Sequence, residues 1–442
     1  MAMLGFLKSN SAPIAIDFGY SAVKVLQVQP GESMGLLGAA LLEIPESIRS
    51  NTTERSLFLQ ESLPKLLQDG RFKGKLASCS IPAWQTFVQH LQIEKSDANK
   101  VREEVGAQLQ VTIGCDPSNA VIRHVEVGEV FREGRVMQEV IAFAVSREVV
   151  MGQVELLKKC KLEVAGLHAE PIALLHAYKH LYRREGDERT TTLYVDIGYH
   201  GTRAMIAHGT ELKFAKTIPV GGRQYDEEIA RALHCDQEAA HAHRMQEIIA
   251  ASQVAGSYSA AESSGSSMHA GSKSVRKGAM IALAEEGANH NTQHAPSSPT
   301  TITADGYERR VGSIPREFQK LDGAGDSDHE STSTMQEESL VRQAMADVIL
   351  QQIDELRLCV RYHRAMFPDR SLDRMIMNGG ESQDRDLCRR ISSILGVTSY
   401  LGDPLKRVIL KDREKQLTGI DRLHDQPGWA IPMGLCIAPT DG

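Results

Sequence analysis

The chain has 442 residues, 41% of them hydrophobic and 24% charged, with a formal net charge of −7. That length predicts roughly three units of about 150 residues each, and the mild acidity excludes the basic footprint that nucleic-acid binding requires. The cysteines Cys79, Cys115, Cys160, Cys235, Cys359, Cys388 and Cys436 are scattered singly, as neither a disulfide framework nor a zinc ribbon would have them; with no uncharged apolar run as long as a membrane span, a cytoplasmic protein is expected.

In chain order, Ile14–Ile16 reads as a strand, Asp17-Phe-Gly-Tyr-Ser as a tight polar turn and Val23–Val28 as the returning strand. Gly38–Ile44 predicts a third strand. Thr53–Gln68 predicts a helix with Leu57, Leu59, Leu63, Leu66 and Leu67 on one face, and Leu76–Ile81 a further strand. The pattern then runs strand, helix, strand, strand, helix over Phe87–Ile93, Ala98–Leu109, Ala120–Val130, Val136–Val145 and Arg147–Cys160, which reads as a compact α/β insertion. Glu170–Tyr182 predicts a short helix.

Leu193–Leu233 then repeats the opening theme: strand, an Asp196-Ile-Gly-Tyr-His-Gly-Thr turn, two strands, Gly221-Gly222 and a helix. Such a repeat signals duplicated half-domains. From Ser252 to Thr334 the composition shifts to Ser, Gly, Ala, Thr and His, too little apolar surface to offset about 1 to 2 kcal/mol of ordering per residue, so disorder is expected there. Glu337–Met366 predicts a long helix with Ile349, Ile353, Leu356 and Val360 as its core stripe. A strand over Leu372–Met377, the Asn378-Gly-Gly-Glu381 turn, a helix to Leu395, a strand over Val397–Tyr400 and a closing helix over Trp429–Ala438 complete the chain.

The turns carry the chemistry. A polyphosphate with Mg²⁺ needs backbone N–H groups that approach closely, hence glycine, and a carboxylate beside the metal's water shell. Asp17, Gly19 and Ser21 meet that need, and Lys24 on the returning strand offers a point charge to the phosphates. Asp196 and Gly198 repeat the spacing, followed by Gly201 and Thr202 and then by Gly221-Gly222. Gly379-Gly380 forms a third glycine turn of the kind a nucleoside requires. His234, Cys235, His241 and His243 read as a solvated histidine patch rather than a metal site.

The order of these turns is similar to that of the actin, Hsp70 and sugar-kinase superfamily. Leu4-Gly-Phe-Leu-Lys before Ile16-Asp17-Phe-Gly, Ser21-Ala-Val-Lys24, Val145-Ser-Arg-Glu-Val-Val, Glu170-Pro-Ile-Ala-Leu-Leu, Ile218-Pro-Val-Gly-Gly222 and Gly402-Asp-Pro404 resemble the PilM family of type IV pilus assembly, relatives of FtsA. The resemblance implies an α/β, two-lobed actin-like fold with an extra α/β subdomain in lobe one and a disordered insertion in lobe two. Lobe one would take residues 1–80 and 167–190, the subdomain 81–166, lobe two 191–251 and 335–442, and the insertion 252–334.

It further implies ATP in the interlobe cleft with Mg²⁺ held through water by Asp17 and Asp196. Asp17, Gly19, Tyr20, Ser21 and Lys24 would form the first phosphate turn; Asp196, Gly198, Tyr199, His200, Gly201 and Thr202 the second, with Gly221 and Gly222 behind it. Gly379, Gly380 and Glu381 would form the adenosine turn, and Glu170 would orient the attacking water. Tyr20, Tyr199 and His200 depart from the small residues usual at these turns, Glu381 replaces a common third glycine, and Ala240 and His243 replace a Glu and a Lys.

The implied output is docking of the N-terminal cytoplasmic peptide of a PilN-like bitopic inner-membrane protein, with other pilus platform or motor proteins and self-association as further contacts. The protein would then sit in the cytoplasm, peripheral to the inner membrane, with at most slow ATPase activity. The alternatives are a phosphotransferase of the same superfamily, for which no catalytic aspartate signature is visible, and an FtsA-like division protein, whose C-terminal membrane helix is not matched by the closing Ala438-Pro-Thr-Asp-Gly.

Overall fold

Two strand-turn-strand units of one design organise the molecule. In the computed structural model, residues 12–29, 31, 34–96, 98–113, 116–132, 134–249, 329–410, 417–421 and 424–439 are described. The disorder expected over 252–334 lies outside them as far as residue 328.

β1 (Ile14–Phe18) pairs antiparallel with β2 (Ala22–Gln29), and β2 with β3 (Met34–Glu43). Helix α1 (Thr52–Asp69) starts at Asn51, whose side chain accepts from the Thr53 and Glu54 amides. It buries Leu59 and Leu63, while Leu57, expected on that face, is 54% exposed. β4 (Leu76–Ile81) joins β1 in parallel. A three-stranded antiparallel sheet follows, from β5 (Thr86–Glu94), β6 (Ala120–Arg132) and β7 (Arg135–Ser146), with helix α2 (Ala98–Ile113) packed on it through Val101, Val105 and Leu109. Helix α3 (Arg147–Lys159) returns the chain to β8 (Glu163–Ala169), an unexpected strand parallel to β4, and helix α4 (Glu170–Tyr178) follows directly.

The second half repeats the plan. β9 (Thr191–Ile197), β10 (Thr202–His208) and β11 (Glu211–Ile218) form an antiparallel meander. Helices α5 (Gly222–Leu233), α6 (237–249) and α7 (His329–Met366) lead to β12 (Arg374–Asn378), helix α8 (Arg385–Leu395) and β13 (Ser399–Leu401), both strands parallel to β9. The first six residues of α7 belong to the stretch expected to be disordered.

The last segment corrects the expected assignment of 335–442 to the second lobe. β14 (Val408–Leu410) pairs with β3, and helix α9 (Ala430–Ile437) packs against α4, β1 and β2. α9 is apolar on every side, so it needs cover all round, and the space between the first sheet and α4 provides it. Gly434 permits that contact: a Cβ there would lie 1.7 Å from the Ala173 carbonyl oxygen.

Period-2 alternation sets which side chains face the two lobes' junction. On β1, Ile14, Ile16 and Phe18 pack towards α1 and α3, so Ala15 and Asp17 point the other way. On β9, Leu193, Val195 and Ile197 pack with α5, α7 and α8, so Tyr194 and Asp196 face away from them. Both aspartates thus end an apolar strand on the face turned away from its own lobe's helices.

Candidate functional site

The two hairpins carry the same cross-strand pair. Asp17 stands opposite Lys24 in the β1–β2 register, and Asp196 stands opposite Arg203 in the β9–β10 register. Each base follows its aspartate by the same interval in the sequence, a signal that marks Arg203 as the counterpart of Lys24 and that motif reading passes over.

Asp17, Gly19, Tyr20, Ser21, Lys24, Glu170, Asp196, Gly198, Tyr199, His200, Gly379, Gly380 and Glu381 all line one cleft, of about 100 Å³. The fold thus brings these sequence-predicted residues together on its walls. Trp84, Arg203, Pro427, Gly428 and Ile431 also line it, and the motifs gave no sign of them. Gly201, Thr202, Gly221 and Gly222 stand behind the lining. A Cβ on Gly201 would meet the Ile218 carbonyl oxygen at 2.8 Å, and one on Gly221 the Gly198 oxygen at 2.2 Å, so both glycines serve close backbone packing. The Thr202 hydroxyl donates to the Val220 carbonyl at 2.6 Å and accepts from Gln352 Nε2 at 2.6 Å, which commits it to the interior.

Asp196, Arg203 and Glu170 are paired with one another, and Asp17 and Lys24 have uncharged partners. Arg203 donates from Nε to Asp196 Oδ2 at 2.7 Å, and its Nη1 forms an ion pair with Glu170 Oε2 at 3.0 Å. Ser80 Oγ donates to Asp17 Oδ1 at 2.8 Å, and Lys24 Nζ to the Gly428 carbonyl at 2.6 Å. Burial pushes the Asp17 carboxyl up despite Lys24 and Ser80, and pushes the Lys24 ammonium down despite Asp17 and Asp196. Burial pushes Glu170 up to about 8, against Arg203 and helped by Asp17 and Asp196. Burial also works against the Arg203 charge, but Asp196 and Glu170 hold its guanidinium protonated.

Aromatic rings close the mouth. The Tyr20 ring lies 4.6 Å from His200, 5.3 Å from Trp84 and 6.2 Å from Tyr199. Arg55 fixes the Tyr20 turn by donating to the Gly19 and Tyr20 carbonyls at 2.6 and 2.7 Å. On the side expected for a nucleoside, Arg244, only 2% exposed, bonds Asp226 Oδ1 at 2.6 Å and the Glu381 carboxylate. Glu381 Oε1 comes within 2.3 Å of where a Gly222 Cβ would stand, so the carboxylate occupies the ground beside that glycine.

A family model described as Type IV pilus assembly protein PilM matches residues 15–253. The chain belongs to the PilM family. No curated protein sequence matches it. Among solved structures, it is similar to a PilM-PilN type IV pilus biogenesis complex, with 17% identity and a TM-score of 0.64, over 98% of this chain and all of that one. It also matches the ethanolamine utilization protein EutJ from Carboxydothermus hydrogenoformans at 10% identity and a TM-score of 0.44, over 98% of this chain and 90% of that one. A third match is the activator of the 2-hydroxyisocaproyl-CoA dehydratase from Clostridium difficile with bound ADPNP, at 9% identity and 0.36, over 96% and 93%. The first likeness carries the fold, and the other two, at these scores, carry no argument.

The PilM-family fold is the two-lobed actin-like one, a fold that elsewhere holds nucleotides. Whether this chain's residues suit ATP and Mg²⁺ is a separate matter, and as placed they do not. Small-molecule pockets run to roughly 300–1,000 Å³, against about 100 Å³ here. Each aspartate already gives one oxygen to a partner, Asp17 Oδ1 to Ser80 and Asp196 Oδ2 to Arg203, and the first amides of α5 are also taken: Gly222 N–H donates to the Gly198 carbonyl at 3.2 Å and Arg223 N–H to the Tyr199 carbonyl at 2.8 Å. Among the described residues no helix is long and apolar enough to cross a membrane.

Proposed function

We propose that this PilM-family chain is a docking adaptor of type IV pilus assembly, and that it receives the N-terminal cytoplasmic peptide of a PilN-like bitopic inner-membrane protein. The family match over 15–253 carries the reading, because that span takes in the first hairpin turn and the whole added subdomain. The subdomain is inserted between β4 and β8 of the first sheet, and the seat of the peptide is expected within residues 81 to 166. Val111, Phe131 and Val136 on the subdomain are exposed, and they offer apolar contacts that its own core does not use. Association with the membrane through that partner would make the protein peripheral to it; contacts with further platform or motor proteins and self-association belong to the same reading.

Docking, not turnover, is the output, and Glu170 is given no catalytic part while Arg203 holds it. Nothing in the match favours a phosphotransferase or a division protein. Isothermal titration with a peptide copied from the cytoplasmic tail of a neighbouring bitopic membrane protein is expected to show saturable heat, weakened by Phe131→Asp. No heat with such a peptide overturns the reading.

A further inference from the structure

The hairpins, the duplicated aspartates and the glycine turn stand where a nucleotide cleft has them, yet Asp17 Oδ1, Lys24, Asp196 Oδ2 and Glu381 already have partners within the chain. We propose that the interlobe cleft is occupied by the protein's own side chains, which hold the lobes closed without nucleotide or metal. Arg203 takes the place of the divalent cation, and the Arg244–Glu381 pair takes the place of the nucleoside.

The case for Arg203 is one of charge and position. It reaches from β10 of the second lobe to Glu170 at the start of α4, while its Nε stays on Asp196 of its own hairpin. A cation bridging carboxylates from two elements does what a metal would do between the same groups. Bringing Mg²⁺ to Asp196 would set a second positive charge beside a guanidinium that is only 12% exposed, where water screens poorly.

The glycine turn makes the matching case on the other wall. Gly379 has φ of +89°, and a Cβ there would lie 2.6 Å from Asp196 Oδ1, so β12's end is pressed against the second hairpin. Glu381, just beyond it, turns inward to Arg244. The rings of Tyr20 and Trp84 from the first lobe and His200 and Tyr199 from the second complete the closure.

This inference rests on the family fold but not on peptide docking, so the two fail separately. The test uses the full chain and two probes, Mg-ATP at about 5 mM for the melting temperature and a fluorescent ATP analogue excited by transfer from tryptophan. The expected results are no rise in melting temperature and no saturable transfer. Arg203→Met should lower the melting temperature and raise acrylamide quenching of tryptophan about twofold, because Trp84, half-buried at the mouth, becomes more exposed as the cleft opens. Saturable transfer, or a melting temperature raised by Mg-ATP and not by ATP with chelator, overturns the proposal. So does unchanged quenching in Arg203→Met. If that variant does not fold, Tyr20→Ala, which removes only a ring at the mouth, takes its place: a rise in quenching supports the closed cleft, and unchanged quenching overturns it.

Discussion

Arg244→Met tests whether the buried ion network is as tightly coupled as its geometry requires. Arg244 is 2% exposed and its partner Asp226 0%. It donates from Nε to Asp226 Oδ1 at 2.6 Å, from Nη2 to Oδ2 at 3.3 Å and from Nη1 to Glu381. Methionine keeps much of the side chain's length and removes the charge. Two buried carboxylates then share one space, with His241 Nδ1, 2.9 Å from Asp226, among the partners left. Breaking a buried pair in this way costs about 3–5 kcal/mol, limited by proton uptake at about 1.4 kcal/mol per unit of pKa.

The pH dependence has a definite direction. In the wild type, burial pushes Asp226 up, but His241 and Arg244 outweigh it and hold the carboxyl below its usual value. The stability this contributes is present above the unfolded carboxylate range and lost as pH falls through the lower folded value. In Arg244→Met the folded carboxyls lie above their unfolded values, so the variant gains relative stability as pH falls. Urea unfolding followed by tryptophan fluorescence should therefore show a deficit that shrinks between about pH 8 and about pH 5. Adding Glu381→Gln to the variant should recover at least about 1 kcal/mol by removing one of the stranded charges. A deficit under about 1 kcal/mol, or one equal at both pH values, would refute the reasoning.

Two other perturbations report on packing and on buried histidine. Gly434→Ala places a methyl 1.7 Å from the Ala173 carbonyl oxygen, so α4 and α9 must part; a loss of about 1–3 kcal/mol in urea unfolding is expected, and an unchanged midpoint would show that the helices are less closely held. His208 and His363 meet Nε2 to Nε2 at 2.9 Å, and burial pushes both from the usual 6.5 to about 4. Their neutral forms stabilise the fold fully above the unfolded value, and that contribution is lost as pH falls from 6.5 towards 4. His363→Phe should flatten the melting-temperature profile in that window; a profile as steep as the wild type's would assign acid lability to other groups.

Strand alternation and turn composition made much of this protein legible in its residues. The period-2 runs before Asp17 and Asp196 set two like hairpins and direct both carboxylates to the same kind of face, and the glycines after them mark tight turns, all from backbone sterics. The Ile349, Ile353 and Leu356 stripe, buried as expected, is equally local. The edge strand β14 and the position of α9 were not legible, because both depend on a surface supplied by strands several hundred residues earlier. The same holds for the cleft. That Asp, Lys and Gly residues converge there follows from the duplicated motif, but whether they stand free depends on partners distant in sequence: Ser80 for Asp17, Glu170 for Arg203, Arg244 for Glu381. A local motif specifies backbone shape and which groups face the cleft, whereas tertiary packing decides which charges are already neutralised and how much room is left between them.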